Sequence, residues 1–147
     1  MKVKIKSFKE LNLELLYDLI ALRISVFVVE QNCPYQELDD LDKEAFHLLM
    51  FQENQLVGAA RILKNGIVYQ EVAIGRVATH PDFRGQQLGH TIMKEAITFI
   101  AEKLRETAIR LSAQTHLTSF YEKHGFKSTG KTYLEDGIPH TEMLRTI

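Results

Sequence analysis

Two periods alternate along the chain, and the switches between them lay out its elements. Lys2 to Ser7 alternates charged and apolar residues with period two, the pattern of an edge or half-buried strand. From Leu13 to Val29, the apolar positions Leu15, Leu16, Leu19, Ile20, Leu22, Val26 and Phe27 recur at three- and four-residue spacing. Asn12, ahead of them, is a residue type that caps helix N-termini, so an amphipathic helix is predicted. Glu30 to Glu44 holds six acids (Glu30, Glu37, Asp39, Asp40, Asp42, Glu44) against Lys43 alone, contains Pro34 and has no period; it reads as a loop or short irregular helix.

The strand period then returns. His47 to Gln52 and Leu56 to Lys64 flank the polar link Glu53-Asn54-Gln55 and predict an antiparallel hairpin, with a turn following at Asn65-Gly66. Glu71 to Thr79 is a further strand, and the loop His80 to Gln87 leads into a second amphipathic helix, from Leu88 to about Thr107. Its stripe is Leu88, Ile92, Met93, Ala96, Ile100 and Leu104. Ile109 to Gln114 reads as a strand, Leu117 to His124 as a short helix stopped by Gly125, and Phe126 to Tyr133 and His140 to Arg145 as strands joined through Glu135-Asp136-Gly137. The order β-α-β-β-β-α-β-α-β-β mixes hairpins with crossover helices, which predicts an α/β (α+β) mixed sheet with helices on both faces.

The length of 147 residues fits one domain over residues 1–147. No apolar run reaches the length of a membrane span. The N-terminus lacks the apolar core and cleavage site of a secretory signal, so a cytoplasmic protein is expected. Cys33, the only cysteine, rules out an intrachain disulfide framework and a multi-cysteine metal site. With 18 basic against 19 acidic residues there is no global positive field, which argues against nucleic acid or an anionic membrane as main partner.

Chemistry concentrates at Arg84-Gly85-Gln86-Gln87-Leu88-Gly89, between a strand and a helix. Free amides at a helix start and the helix dipole receive a diphosphate, and Arg84 adds a positive charge. The segment lacks the terminal Lys-Ser/Thr of a P-loop and the glycine spacing of a dinucleotide fingerprint, so a different nucleotide-bearing ligand is called for. Read alone, it is equally a glycine-containing strand-to-helix turn.

With the preceding Ile74-Gly75-Arg76-Val77-Ala78-Thr79-His80-Pro81-Asp82-Phe83, the segment resembles motif A of the GNAT acetyltransferases, Arg/Gln-x-x-Gly-x-Gly/Ala. Phe120-Tyr121-Glu122-Lys123-His124-Gly125-Phe126 resembles their motif B. The element order matches as well, so the resemblance spans nearly the whole chain. Val26 to Gln36 and Asp136-Gly137-Ile138-Pro139-His140 look closest to the ElaA-type branch. One departure is Gln87, where the family usually has its first glycine.

The resemblance implies a GNAT fold with a mostly antiparallel central sheet of about six or seven strands. It implies an N-acetyltransferase taking acetyl-coenzyme A as donor co-substrate, with no metal. The backbone of Arg84, Gly85, Gln86, Gln87, Leu88, Gly89 and His90 would hold the coenzyme A diphosphate, and Val77, Ala78 and Thr79 the pantetheine arm. The Val77 amide would stabilise the oxyanion, and Tyr121 would hydrogen-bond or protonate the departing thiolate. Without the resemblance, Tyr121 reads first as a residue packing the short helix on the sheet, and it is the motif B match that reverses the preference.

The acceptor that the resemblance implies is a small-molecule or peptide amine, and attack requires its neutral form, so a proton must go to a base or a water chain. Glu71, opening the strand that ends in motif A, is one candidate base and Glu30 another. Arg23 falls on an apolar helix stripe and needs an acidic partner, for which Glu30 is the candidate, unless the side chain snorkels to solvent. The acidic stretch would attract a cationic amine, and His116 and His140 would line the pocket with Arg23 and Glu30. The six histidines show no metal spacing. Two other readings stand beside the enzyme: a coenzyme A-binding regulatory domain with weak turnover, and an acyl-homoserine-lactone-synthase-like acyltransferase. The family is often dimeric; the residues show no interface.

Overall fold

The computed structural model describes residues 1–146. The strands are β1 (Lys2–Ser7), β2 (Phe46–Gln52), β3 (Gln55–Leu63), β4 (Val72–Thr79), β5 (Ile109–Gln114), β6 (Lys127–Glu135) and β7 (Ile138–Arg145). They form one seven-stranded sheet in the order β1-β2-β3-β4-β5-β7-β6. Every neighbouring pair is antiparallel except β4 with β5. Helices α1 (Leu13–Ile24), α2 (Leu88–Phe99) and α3 (Thr118–Glu122) cover it.

The sequence periods account for these elements with two adjustments. Asn12 caps α1 as expected, its side chain accepting from the Leu15 amide at 2.8 Å. Winding then loosens to a π-helical turn over Ser25–Glu30 rather than continuing as α-helix to Val29. The second helix likewise becomes π-helical over Ile100–Leu104 and stops short of Thr107, because Arg105 turns left-handed at φ 57°.

Both sheet faces are covered. Leu19, Leu22 and Val26 of α1 and its extension bury against Leu49, Ala59 and Ala78. On the opposite face Leu88, Ile92, Met93 and Ala96 of α2 pack on Leu48, Met50, Ile62 and Ile74, joined by Leu111, Tyr121, Phe126 and Met143. Each large apolar side chain so buried contributes roughly 1.5–3 kcal/mol against conformational entropy. Gly58 permits the close approach of α2: a Cβ there would lie 2.8 Å from Ile92 Cδ1.

One break in the sheet positions everything that follows. β4 and β5 are paired only at Val72–Ile109 and Ala73–Arg110, and beyond that point they splay. On the other edge of β4, the register with β3 shifts between Ala59 and Arg61, and Arg76 takes a left-handed φ of 50°. This is a bulge, which bends a strand and frees backbone from the ladder.

Candidate active site

The splay opens a cleft of about 510 Å³. Its walls include Gly75, Arg76 and Val77 from β4, Leu111 and Ser112 from β5, Tyr121 from α3 and His140 from β7. Arg76 and Val77 fall in the bulge and have no partner residue on β3 or β5. Tyr121, 9% exposed, packs edge-on against Phe120 and Phe126. Burial pushes its phenol up to about 12, so it is a neutral hydroxyl at physiological pH.

Beyond β4 the chain turns toward α2. The Arg84 amide bonds Pro81 O and the Thr91 amide bonds Gln87 O; between them, the backbone amides of residues 85–90 meet no protein acceptor among the described residues. Gly85 at φ 87° and Gln87 at φ 61° give the loop its left-handed turns. A conformation that favours glycine thus occurs at the glycine position of the motif, and Gln87 adopts it at a strain of about 1–2 kcal/mol. Leu88 is buried in the core and Gly89 faces Phe120, where a Cβ would lie 3.1 Å from Cζ. His90 Nδ1 lies 2.8 Å from His124 Nε2. Ala78 is buried beneath α1, leaving only its backbone for any ligand.

Arg84 does not extend freely into this loop. It pairs with Glu30, Nη2 donating to Oε1 at 2.7 Å, and reaches Thr79 O at 3.1 Å. The hydrogen bond from Arg84 holds the Glu30 carboxyl below its ordinary range, which disfavours Glu30 as a base.

The expected Arg23–Glu30 pair does not form. Arg23, 1% exposed, donates to Glu37 and Asp42 instead, at 2.9 and 2.7 Å. Glu30 lies about 10 Å further along the helix axis, whereas the acidic loop folds back over Arg23. Arg61 then bonds Asp42 and Asp39, at 3.1 and 2.8 Å. Arg76 bonds Glu37 at 2.8 Å and Asp39 at 3.4 Å, closing a ring of alternating charges. Burial opposes the charge on Arg23, but Glu37 and Asp42 outweigh it and raise its pKa; Asp42 is held low by Arg23 and Arg61 against the same desolvation. The ring joins the buried face of α1 to the β4 bulge. It also neutralises Glu37, Asp39 and Asp42, so these acids do not steer a cationic amine as the composition of the loop had suggested.

The sequence and the fold that frame this cleft are matched by known proteins. A family model described as an acetyltransferase (GNAT) domain matches residues 16–147. The chain belongs to the GNAT acetyltransferase family. Escherichia coli Protein ElaA is 41% identical over 94% of this chain and 92% of its own. The structure of an acyl-CoA N-acyltransferase from Pseudomonas aeruginosa superposes with a TM-score of 0.92 at 40% identity, over 99% of both chains. An aminoglycoside 6'-N-acetyltransferase complexed with coenzyme A shares the fold alone, with TM-score 0.74 at 17% identity over 97% of this chain and 96% of that one. The chain is thus an acyltransferase with the GNAT fold that its motifs implied.

In this GNAT chain the remaining residues singled out in the sequence separate. Glu71 is held by Arg110 in a two-pronged pair at 2.8 and 2.9 Å, which lowers its pKa, and it is not on the cleft wall. That placement disfavours it as the base. His116 is off the cleft and His140 is on it. Gln114, seven residues before Tyr121, donates to Gln31 at 3.3 Å. Sequence reasoning missed Arg61, Arg76, Glu37, Asp39 and Asp42 as a unit. The available signal was cationic residues inside otherwise apolar strands, Arg61 after Ala60 and Arg76 before Val77. No described helix is long and apolar enough to cross a membrane.

Proposed function

We propose that this chain is a cytoplasmic N-acetyltransferase, on one domain, that transfers the acetyl group of acetyl-coenzyme A to a small-molecule or peptide amine by direct attack. The observation that carries the reading is the course of the cleft. It opens where β4 splays from β5 and is walled by Val77 of the bulge and by Tyr121, and the same strand leads on into the loop whose amides at residues 85–90 are unpartnered among the described residues. Coenzyme A bound to a protein of the same fold supports the choice of donor.

The amides of residues 85–90, at the positive end of α2, suit a diphosphate. The carbonyl and amide groups around Val77 and Thr79 suit the amide-rich pantetheine arm. The Val77 amide, outside both ladders, is the donor for the oxyanion that forms when the amine adds to the thioester carbonyl; removal of one such donor elsewhere costs roughly 3 kcal/mol. With its phenol near 12, Tyr121 is a poorer acid than a thiol. Full proton transfer to a thiolate of ordinary pKa about 8.5 would be uphill by roughly 5 kcal/mol, so Tyr121 stabilises the leaving sulfur by a hydrogen bond. Direct attack needs no covalent enzyme intermediate and leaves Cys33 without a chemical role. All of these groups come from one chain, so a homodimer, common in the family, is not required for the site.

The test is calorimetric titration with acetyl-coenzyme A and coenzyme A, followed by thiol release in the presence of an amine panel. Binding with amine-dependent thiol release is expected, and Tyr121→Phe should lower kcat about 10- to 100-fold with little change in acetyl-coenzyme A affinity. Binding without release on any amine would favour a regulatory coenzyme A-binding domain, and no binding would overturn the reading.

A further inference from the structure

The cleft passes through the sheet, and its two sides carry different chemistry. On β5, Ile109, Leu111 and Ala113 bury in the core shared by α2, Tyr121 and Met143. Strand pleating turns Arg110, Ser112 and Gln114 to the opposite face. Gln114 is paired directly with His140 on β7, and directly opposed residues share a face. His140 therefore meets the cleft from the side opposite Tyr121. A thioester threaded between β4 and β5 has the Tyr121 hydroxyl on one side and His140 on the other.

The His140 ring is fixed. Nδ1 lies 2.8 Å from the Ile138 carbonyl, an acceptor only, so Nδ1 carries the hydrogen and the neutral ring keeps its lone pair on Nε2. The ring is stacked on Tyr133 at an interplanar angle of 14°, and Tyr133 is held in turn by its hydroxyl bond to Ser112. The only ionic neighbour of Nε2 among the described residues is Glu135, at 3.5 Å, whose side chain is 53% exposed.

We propose that His140 Nε2 is the proton acceptor that prepares the attacking amine, with Glu135 as its outlet to solvent. The proposal rests on the acetyltransferase reading above. Transfer from an ammonium removes two protons from nitrogen: one ends on the coenzyme A sulfur and the other leaves. His140 takes the leaving proton, giving a free amine whose lone pair forms the new C–N bond as the C–S bond breaks. The imidazolium, bound between the Ile138 carbonyl and the Glu135 carboxylate, passes the proton to water at the cleft mouth. The other groups around the cleft do not compete. Arg61, Arg76 and Asp39 are paired within the charge ring, and burial keeps Tyr121 and Tyr69 protonated. Asp136 lies in the hairpin turn next to Glu135 and adds to the same negative outlet. Cys33 donates toward the Asp136 carbonyl.

The experiment compares wild type, His140→Gln and Glu135→Gln. Acetyl-coenzyme A binding is measured by calorimetry, and thiol release is followed against pH with a panel holding a diamine, a polyamine, an arylethylamine, an aminoglycoside and a short peptide. His140→Gln should bind acetyl-coenzyme A as wild type does, which also reports an intact fold. Its kcat/KM should fall about 100-fold or more at neutral pH, and the deficit should shrink as pH rises and the amine deprotonates unaided. Glu135→Gln should lose less. An unchanged pH profile in an active His140→Gln would overturn this assignment and leave the acetyltransferase reading standing. Wild type that binds acetyl-coenzyme A but transfers to no amine, or does not bind it, would overturn both.

Discussion

Arg76 Nε donates to Glu37 Oε2 at 2.8 Å, and the same oxygen accepts from Arg23 Nε at 2.9 Å. One carboxylate oxygen thus links the bulge of β4 to the buried face of α1. Its side chain is 0% exposed and that of Arg23 is 1% exposed.

Removing this carboxylate leaves Arg23 buried with one acid instead of two. Breaking a buried pair at one partner typically costs about 3–5 kcal/mol, so Glu37→Gln should lower unfolding free energy by that order. Denaturant unfolding measures it. Lys43→Ala removes only an exposed contact to Asp40 at 3.8 Å and should leave the midpoint unchanged. Equal, small effects of the two substitutions would mean that the ring does not hold the bulge.

Gln87 makes a prediction of the opposite sign. Its φ of 61° is strained for a residue with a Cβ, and more so for a β-branched one. Gln87→Gly should stabilise the chain by up to about 1 kcal/mol, with acetyl-coenzyme A binding retained, since the amide is kept. Gln87→Val should destabilise it. Thermal unfolding and calorimetry on both variants decide the point.

Two histidines lower stability as pH falls from neutral, ahead of the carboxyl groups that titrate further down. Burial lowers the pKa of His47 below its ordinary 6.5, and burial together with His90 lowers that of His124. The unfolded chain therefore takes up protons near 6.5 while the folded chain does not. Stability is full above that pH and is lost as pH falls below it, by at most about 1.4 kcal/mol per pH unit for each ring. His124 is partly exposed and contributes less than His47. Unfolding titrations between about pH 7 and pH 5 should show this slope, and it should flatten in His47→Gln.

How much of this was legible in the sequence depends on range. The Asn12 cap, the apolar stripes of α1 and α2 and the stop at Gly125 are local, and periodicity and residue type revealed them. Motif A marked the strand-to-helix loop whose amides at residues 85–90 are unpartnered, because its signal lies within a few residues. The charge ring was hidden because its bonds join residues 14, 19, 22, 37 and 39 positions apart. Arg23 announced that it needed an acid, and six acids within one loop left the choice open until the fold made it. The bulge was hidden for the same reason: Arg76 turns left-handed where β4 slips register against β3 and its side chain bonds the acidic loop, and nothing adjacent to it in the chain marks that turn.

Two glycines of the motif region differ in what surrounds them: Gly89 is packed and Gly75 is open to the cleft. A Cβ on Gly89 would lie 3.1 and 3.2 Å from Phe120 ring atoms, so this glycine serves the seat of α3 against α2. A Cβ on Gly75 meets nothing within 4 Å, and Gly75 lines the cleft. Gly89→Ala must displace an aromatic ring, at a cost of roughly 1 kcal/mol or more, and should keep its affinity for acetyl-coenzyme A. Gly75→Ala should fold as stably as wild type, within about 0.5 kcal/mol. Its methyl group narrows the opening between β4 and β5, so its affinity for acetyl-coenzyme A should drop about tenfold, equivalent to roughly 1.4 kcal/mol. Calorimetry and thermal unfolding on the two variants should therefore give crossed results. Loss of binding in Gly89→Ala with none in Gly75→Ala would place the donor outside the cleft, along α2, and would remove the role given to the β4 bulge.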